Sequence, residues 1–134
     1  MDRGITSFGH DKMQRIIFAC DELAELLDKT GLSKDEKEKV LLVESYLATI
    51  ARQGRAFGIH LLLITQRPDA NILPGQIKNN IDARICSRAD NVLSQIILDN
   101  TDAATMIPKD SQGIFLNQEG LLFKGYIFDD KNVA

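Results

Sequence analysis

Polar side chains that could support chemistry on phosphates follow two apolar runs of the sequence. They are Asp21 and Glu22 after the run RIIFAC, and Thr65, Gln66 and Arg67 after the run IHLLLI. A first carboxylate could hold a magnesium ion through water, and a second could polarise an attacking water. A side-chain amide nearby could orient that water or sense a terminal phosphate.

The two apolar runs, residues 15–20 and 59–65, predict the strands that position these side chains. Both runs lack polar alternation, which is typical of central parallel strands covered on both faces. Ligands of open α/β sheets bind beyond the carboxyl ends of the strands. If the two strands are neighbours, the acid pair and the amide therefore share one rim of the sheet.

A long amphipathic helix is predicted between the two strands. Apolar residues recur at steps of three and four from Asp35 to about Arg55, and Ser33 with Glu36 has the spacing of a capping box. The order of strand, helix, long helix and strand is the α/β pattern.

The second half of the chain predicts shorter elements. They are a helix at 75–79, a third strand at 81–87, and helices at 91–98 and 101–106, the last of which Thr101 could cap. The turn Gln118-Glu119-Gly120 between two apolar runs indicates a β-hairpin, which we interpret as two strands added at a sheet edge.

Composition and charge favour one globular domain with ordinary polarity. Hydrophobic residues make up 44% of the 134 residues, and the net charge of −3 argues against a protein that binds nucleic acid over its whole surface. Cys20 and Cys86 lie in apolar segments, which favours buried thiols in a reducing compartment and a cytoplasmic location. Residues 1–13 are expected to form an irregular leader, and no run is apolar enough to span a membrane.

Each of these residues also has a purely structural interpretation. Asp21 could cap the following helix, with Glu22 complementing the positive helix end. Gln66 could belong to an exposed turn, and Arg84 could lie at a strand edge with its stem packed and its head in water. His60 has no second histidine or cysteine at metal-ligand spacing, and is expected to be a packing residue of a buried strand.

Several blocks of the sequence occur together and in order: RIIFACDELAELL, IARQGRAFGIHLLLITQRPD, GQIKNNIDARI and IILD. Together they resemble the motor domain of the FtsK/SpoIIIE family of DNA translocases, from about residue 14 to about residue 128. The resemblance implies a partial RecA-like P-loop NTPase fold, with a mostly parallel sheet flanked by helices and a C-terminal β-hairpin. Residues 14–134 would then be the C-terminal part of such an ATPase domain.

The resemblance also implies roles for the rim residues. The segment IIFACDE would be the Walker B strand, in which Asp21 serves Mg²⁺ and Glu22 is the catalytic base or the residue that polarises the attacking water. Gln66 would be the sensor amide that reaches the γ-phosphate of ATP, with Thr65 beside it at the nucleotide.

Motors of this family are hexameric rings with nucleotide at the subunit junctions, so an arginine from a neighbouring subunit is expected. Arg84 and Arg55 are the candidates here. Many members carry an arginine in a DSR-type triplet before ILD, whereas this sequence has Leu93-Ser94-Gln95. Lys78 and Arg88 are the candidates for contacts with the phosphates of double-stranded DNA.

The phosphate-binding loop G-x-x-x-x-G-K-[ST] is not found in the sequence. Without its backbone amides and lysine, we expect this chain alone to bind no ATP or Mg²⁺ tightly and to be inactive as an ATPase. We therefore expect the C-terminal half of a motor domain, whose membrane attachment, if any, lies in segments absent here. A half-domain would expose a sheet edge or face, so self-association is expected.

The leading hypothesis for function is part of an ATP-driven DNA translocase, acting in chromosome segregation or conjugative transfer. A second hypothesis is a fragment of a type VII secretion-type ATPase that moves protein. A third is a non-catalytic interaction module that has this fold.

Overall fold

The computed structural model describes residues 14–67 and 73–126, which form two compact units. Among these residues, the first unit comprises 14–67 and 73–82, and the second comprises 83–126. The first unit contains β1 (Ile16–Cys20), α1 (Leu23–Leu27), α2 (Lys34–Gln53), a 3-10 turn (Gly54–Phe57), β2 (Ile59–Leu63) and α3 (Gly75–Lys78). The second contains β3 (Ile85–Ser87), α4 (Asn91–Leu98), α5 (Asp102–Met106), β4 (Ile114–Asn117) and β5 (Leu122–Lys124).

β1 and β2 are adjacent parallel strands, as the shared rim requires. Ile16 lies opposite Ile59, and Cys20 lies opposite Leu63, so the two strands end level with each other. The polar residues that follow each strand therefore emerge at the same edge of the sheet. The α/β fold class predicted from the sequence is confirmed.

Helix α2 packs beside β2 in the core of the first unit. Leu47 and Ala48 on α2 are buried with Leu23, Leu27 and Ile77. The capping box predicted at the start of α2 is present: the Ser33 hydroxyl accepts from the Glu36 N–H at 3.4 Å, and a Glu36 carboxylate oxygen accepts from the Ser33 N–H at 2.8 Å.

Residues 14–67 and 73–126 leave both faces of strand β1 partly uncovered, which corrects the prediction of two fully buried strands. Ile16, Ile17 and Phe18 are 56%, 70% and 43% exposed, and His60 on β2 is exposed as well. Adjacent strand residues point to opposite faces, so exposure of Ile16 and Ile17 together means that apolar side chains of both faces of β1 meet solvent. Within the described residues, the core of this unit forms around α1, α2 and α3 and reaches the sheet through Cys20, Leu61 and Leu63.

The second unit has its own sheet and core. β3 pairs antiparallel with β4, and β4 pairs antiparallel with β5, so the predicted hairpin joins β3 in a three-stranded sheet. Its core consists of buried residues from the sheet and both helices: Cys86, Leu98, Ala103, Ile107 and Leu116. Burial raises the pKa of the Cys86 thiol, and the nearby charge of Asp90 raises it further.

Two local predictions for this unit need correction. The strand predicted at 81–87 begins only at Ile85. Helix α5 begins after Thr101, but the Thr101 side chain makes no capping hydrogen bond; the Asn100 side-chain oxygen accepts from the Asp102 N–H at 2.9 Å instead. An asparagine oxygen reaches the N–H two residues ahead readily, which makes it a strong competitor at a helix start.

We expect Ser33→Ala to lower the free energy of unfolding by about 1 kcal/mol at pH 7, because the capping box then loses its hydroxyl. Urea denaturation followed by circular dichroism measures this change. An unchanged midpoint would mean that the capping box adds nothing to the stability of the chain.

The same capping box predicts a pH dependence. Hydrogen bonds from the Ser33 hydroxyl and backbone N–H lower the pKa of Glu36 below its ordinary value of 4.5. The stabilisation is therefore present above pH 4.5 and is lost as the pH falls through the folded-state pKa. We expect Ser33→Ala to differ most from the parent protein near neutral pH and to differ less at low pH.

Candidate functional site

The carboxylate of Glu22 is the centre of the polar cluster at the rim of β1 and β2. Its Oε1 accepts from the Thr65 hydroxyl at 2.6 Å and from the Ala24 N–H at 3.1 Å. Its Oε2 accepts from the Gln66 N–H at 3.0 Å. The structure thus brings Glu22, Thr65 and Gln66 together across the two strands, as the sequence predicted for neighbouring strands.

Glu22, and not Asp21, is the residue that caps α1. The sheet ladder continues past the end of β1: the Ile64 N–H donates to the Cys20 carbonyl at 2.9 Å, and the Leu23 N–H donates to the Ile64 carbonyl at 2.7 Å. The chain bends at Asp21, Glu22 itself is extended (φ −138°, ψ 93°), and the first helical turn starts at Leu23. The helix-capping role that the sequence suggested for Asp21 therefore belongs to Glu22.

The hydrogen bonds around Glu22 favour its ionised form. Burial by itself raises the pKa of Glu22, but the hydrogen bonds from Thr65, Gln66 and Ala24 and the charge of Arg67 outweigh burial and lower the pKa. Hydrogen bonds to a carboxylate stabilise its charged form. Near neutral pH, Glu22 is therefore a fixed carboxylate.

Asp21 is exposed at the same rim. Its side chain makes no hydrogen bond or ion pair with other residues of the described ranges. A single carboxylate with water ligands is a common way for proteins to hold Mg²⁺. Asp21 thus fits a magnesium ligand, although the described residues contain no cluster of three or more histidine, cysteine or acidic side chains that could hold a metal.

Gln66 and Arg67 are exposed beside this cluster. The Gln66 backbone is tied to Glu22, while its side-chain amide makes no hydrogen bond within the described part of the chain. Arg67 forms ion pairs with Glu25 at 2.6 Å and with Asp28 at 3.3 Å on the α1 side of the rim. No local signal in the sequence predicts these two ion pairs, because they join residues about 40 positions apart.

The two arginines considered for action across subunits differ in their surroundings. Arg84 donates to the Ile97 carbonyl at 3.0 Å and pairs with Asp99 at 2.7 Å, and only 22% of its side chain is exposed. Its head is therefore held by the end of α4, which corrects the interpretation that the head of Arg84 extends freely into water. Arg55 is 87% exposed and lies 3.6 Å from Asp82.

The candidate DNA contacts are also placed by the structure. Arg88 lies in the second unit, where its guanidinium donates to the Ile107 carbonyl. Lys78 is in the last turn of α3 and is half-buried. Gln95 and Ser94 belong to the triplet that stands where many family members have a DSR-type triplet. Gln95 is exposed on α4. Ser94 is fully buried, and its hydroxyl donates to the Asn100 carbonyl at 2.7 Å.

Asp99 is a structural residue that the sequence did not single out. It ends α4 with φ 63°, a left-handed conformation that aspartate tolerates better than most residues. Its carboxylate also pairs with Arg84. Asp99 therefore serves both the backbone at the end of α4 and the charge of Arg84.

We expect Asp99→Ala to lower the free energy of unfolding by about 2 kcal/mol, because alanine is strained at positive φ and leaves the Arg84 charge without this partner. Asp99→Gly keeps the backbone conformation, so it should cost only about 1 kcal/mol. Urea denaturation of both variants checks the order. Equal losses would contradict the contribution of the backbone conformation.

The described residues fit only part of a site for a nucleotide with magnesium. The exposed carboxylate of Asp21 could ligate a metal, and Glu22 and Gln66 offer a carboxylate and a side-chain amide. The helix that starts at this rim, α1, is capped by the carboxylate of Glu22 and so presents a negative group where a phosphate would need donors. The N-terminus of α1 is therefore not suited to bind a phosphate.

No helix of the described residues has the length and apolar character needed to cross a membrane.

No protein-family model matches the chain. Curated DNA translocases named FtsK do match it, and that of Ralstonia nicotianae, FtsK 2, is 37% identical over 98 residues. This match covers 72% of the present chain and 11% of the relative.

Two solved structures are similar as well. The pCW3 conjugation coupling protein TcpA, a monomer form with ATPgS, has a TM-score of 0.82 and 43% sequence identity, over 91% of this chain and 35% of TcpA. The cytoplasmic domain of the type VII secretion ATPase EccC of Thermomonospora curvata has a TM-score of 0.65 and 26% identity, over 90% of this chain and 14% of EccC. The chain thus spans about a tenth of its curated relatives and about a third of TcpA. With the RecA-like α/β fold and the agreement with FtsK over most of its length, the chain belongs to the FtsK/SpoIIIE family of DNA translocase motor domains.

Proposed function

We propose that the chain is the C-terminal part of an ATP-driven motor that translocates double-stranded DNA. The observation that carries the proposal is the hydrogen-bonded cluster of Glu22, Thr65 and Gln66 at the carboxyl ends of β1 and β2. Similarity to proteins named DNA translocase and conjugation coupling protein supports DNA as the substrate. Chromosome segregation and conjugative transfer are the two processes that these relatives suggest.

In this proposal each rim residue has a distinct task. Asp21 holds Mg²⁺ through water, and Glu22 accepts the proton of the attacking water. The Gln66 side chain reaches toward the terminal phosphate. Mg²⁺ supplies charge neutralisation at the phosphates when it is bound. The exposed side chains of Asp21 and Gln66 support these assignments, since both are accessible to a ligand at the rim.

The complete motor would work as a cytoplasmic hexameric ring, with an arginine from the neighbouring subunit at each nucleotide. The high exposure of Arg55 favours it over Arg84, whose guanidinium already has Asp99 and a carbonyl as partners. Lys78 and Arg88 remain the proposed contacts with DNA phosphates. The bond from Arg88 to the Ile107 carbonyl would have to be shared or exchanged for such a contact.

The exposed apolar strand β1 supports the half-domain part of the proposal. Side chains of both its faces meet solvent in the described residues, whereas its sequence pattern is that of a covered strand. We therefore expect the isolated chain to self-associate at micromolar concentration. Light scattering coupled to size-exclusion chromatography measures this, and a monodisperse monomer would count against a half-domain.

The experiment that tests the proposal begins with the coding DNA upstream of Met1. The proposal requires an open reading frame that encodes a strand, a G-x-x-x-x-G-K-[ST] loop and a helix. The product of the complete frame should hydrolyse ATP, and double-stranded DNA should stimulate the hydrolysis. A genuine start codon at Met1 preceded by a stop codon would refute the motor and favour an interaction module.

A second candidate is a motor that moves protein, which the similarity to the secretion ATPase EccC favours. The two candidates differ in their response to DNA. Hydrolysis that is indifferent to double-stranded DNA at low salt would favour protein as the substrate, because contacts with DNA phosphates strengthen as salt is lowered.

A further inference from the structure

Residues 64–67, the segment after β2, are bound at each position to the end of β1 or to α1. Ile64 continues the sheet ladder through its backbone N–H and carbonyl, as described above. Each of the next three residues adds a different polar contact with the segment from Glu22 to Asp28. The position of Gln66 is therefore set from both sides.

The Thr65 hydroxyl makes two hydrogen bonds. The hydroxyl donates to Glu22 Oε1 at 2.6 Å and accepts from the Arg67 N–H at 3.4 Å. A threonine hydroxyl has a single proton to donate, and here the carboxylate takes it. The side chain of Thr65 is thus directed at Glu22, and little of its hydrogen-bonding capacity is left for a nucleotide.

Arg67 anchors the backbone on the C-terminal side of Gln66. Its guanidinium bridges Glu25 in the first turn of α1 and Asp28, the residue that follows the helix, while about half of the Arg67 side chain is exposed. Single exposed ion pairs contribute little to stability, but two from one guanidinium restrict its orientation. Arg67 therefore holds the end of β2 against α1, the helix that Glu22 caps.

We propose that Thr65 and Arg67 are positioning residues for Glu22 and Gln66: Thr65 orients the carboxylate of Glu22, and Arg67 fixes the backbone that presents the Gln66 side chain. This inference rests on the proposed function, since it assigns the catalytic tasks to Glu22 and Gln66. It replaces the expectation that Thr65 binds the nucleotide directly. Neither positioning residue needs to contact ATP.

The contacts themselves are tested in the present chain by ¹H–¹⁵N NMR of the Gln66 backbone amide. Thr65→Val keeps the shape of the side chain but removes its hydroxyl, Thr65→Ser retains the hydroxyl, and Arg67→Gln removes the charge. We expect Thr65→Val and Arg67→Gln to speed the hydrogen exchange of the Gln66 amide several-fold after correction for the intrinsic effect of the changed neighbour, and Thr65→Ser to restore the slow exchange. The matched control is Arg52→Gln, at an exposed arginine of α2. An unchanged Gln66 amide in Thr65→Val and Arg67→Gln would overturn the inference.

The catalytic consequence is tested in the ATPase encoded by the complete reading frame. Misplacement of catalytic groups lowers the rate of the chemical step, so Thr65→Val and Arg67→Gln should reduce kcat by on the order of 10- to 100-fold with little change in KM for ATP. Thr65→Ser should recover most of kcat. A rise in KM at unchanged kcat would instead make these residues nucleotide contacts, and a loss of thermal stability at unchanged kcat would make them purely structural; either result overturns the inference.

The two measurements separate this inference from the proposed function. A complete protein with no ATPase activity would refute the proposed function and with it the catalytic role of the positioning residues, even if the NMR contacts were present. An active ATPase whose kcat is insensitive to Thr65→Val and Arg67→Gln would preserve the proposed function and refute only the positioning roles.

Discussion

Glu22→Gln should reduce ATP hydrolysis by the complete motor at least about 100-fold, because the variant lacks the carboxylate that accepts a proton from water. Glutamine has nearly the same shape, and its oxygen can still accept from the Thr65 hydroxyl and the Ala24 N–H. Its NH₂ group cannot accept from the Gln66 N–H, which now donates to Oε2 at 3.0 Å. Steady-state hydrolysis and nucleotide binding, measured on the same preparation, check the expectation.

A loss of hydrolysis in this variant has to be separated from a loss of folding. The lost acceptor at Gln66 is expected to lower the free energy of unfolding by on the order of 1 kcal/mol, which leaves most of the protein folded. Glu38→Gln, at an exposed glutamate of α2, is the matched control and should retain full hydrolysis. Hydrolysis by folded Glu22→Gln at the rate of the parent protein would exclude Glu22 as the base.

Gly54→Ala should lower the free energy of unfolding by about 1–3 kcal/mol, because the added methyl group has no room between α2 and β2. A Cβ at this position would lie 2.8 Å from the Ile59 carbonyl oxygen and 3.0 Å from a methyl carbon of Ile50. The carbonyl belongs to the first residue of β2 and cannot rotate away as a side chain could. Urea denaturation measures the loss.

The control for this substitution is Gly75→Ala, at the first residue of α3. A Cβ there would meet no atom within 4 Å, so the change should be neutral or slightly stabilising. Equal effects of the two alanine substitutions would show that close packing of Gly54 is unimportant. Because β2 leads directly to Thr65 and Gln66, a shift of this strand should also disturb the hydrogen bonds to Glu22.

The site is incomplete in a specific way. The described rim offers two carboxylates and an amide, to which the proposal assigns Mg²⁺, water and phosphate, but its helix start is already capped by a carboxylate. Chemistry on ATP also requires donors for the phosphates, and these are expected from the G-x-x-x-x-G-K-[ST] loop of a longer chain.

Regular local elements were largely predictable from the sequence alone. The apolar periodicity placed α2, the apolar runs placed β1 and β2, and the pattern of 91–98 placed α4 within its observed bounds. The capping box of Ser33 and Glu36 was also visible, because both of its hydrogen bonds join residues three positions apart. These features depend on periodicity and on nearby side chains, which a sequence displays directly.

The site was predictable in position but not in detail. Neighbouring strands and the level ends of β1 and β2 were needed to bring Glu22 to Thr65 and Gln66. The sequence suggested the shared rim only on condition that the two strands were adjacent. Which carboxylate caps α1 depended on how far the ladder between the strands continued, and so on a contact between residues 41 positions apart.

The sequence by itself determined the chemical groups, the periodic elements and the family resemblance, since all three are carried by residue types and their order. The tertiary structure alone decided that Glu22 is the capping and hydrogen-bonded acid, that Arg84 is paired with Asp99, that β3 joins the hairpin, and that β1 remains exposed. The physical reason is that hydrogen bonds, ion pairs and burial depend on groups brought together from distant parts of the chain. Local periodicity does not specify those partners.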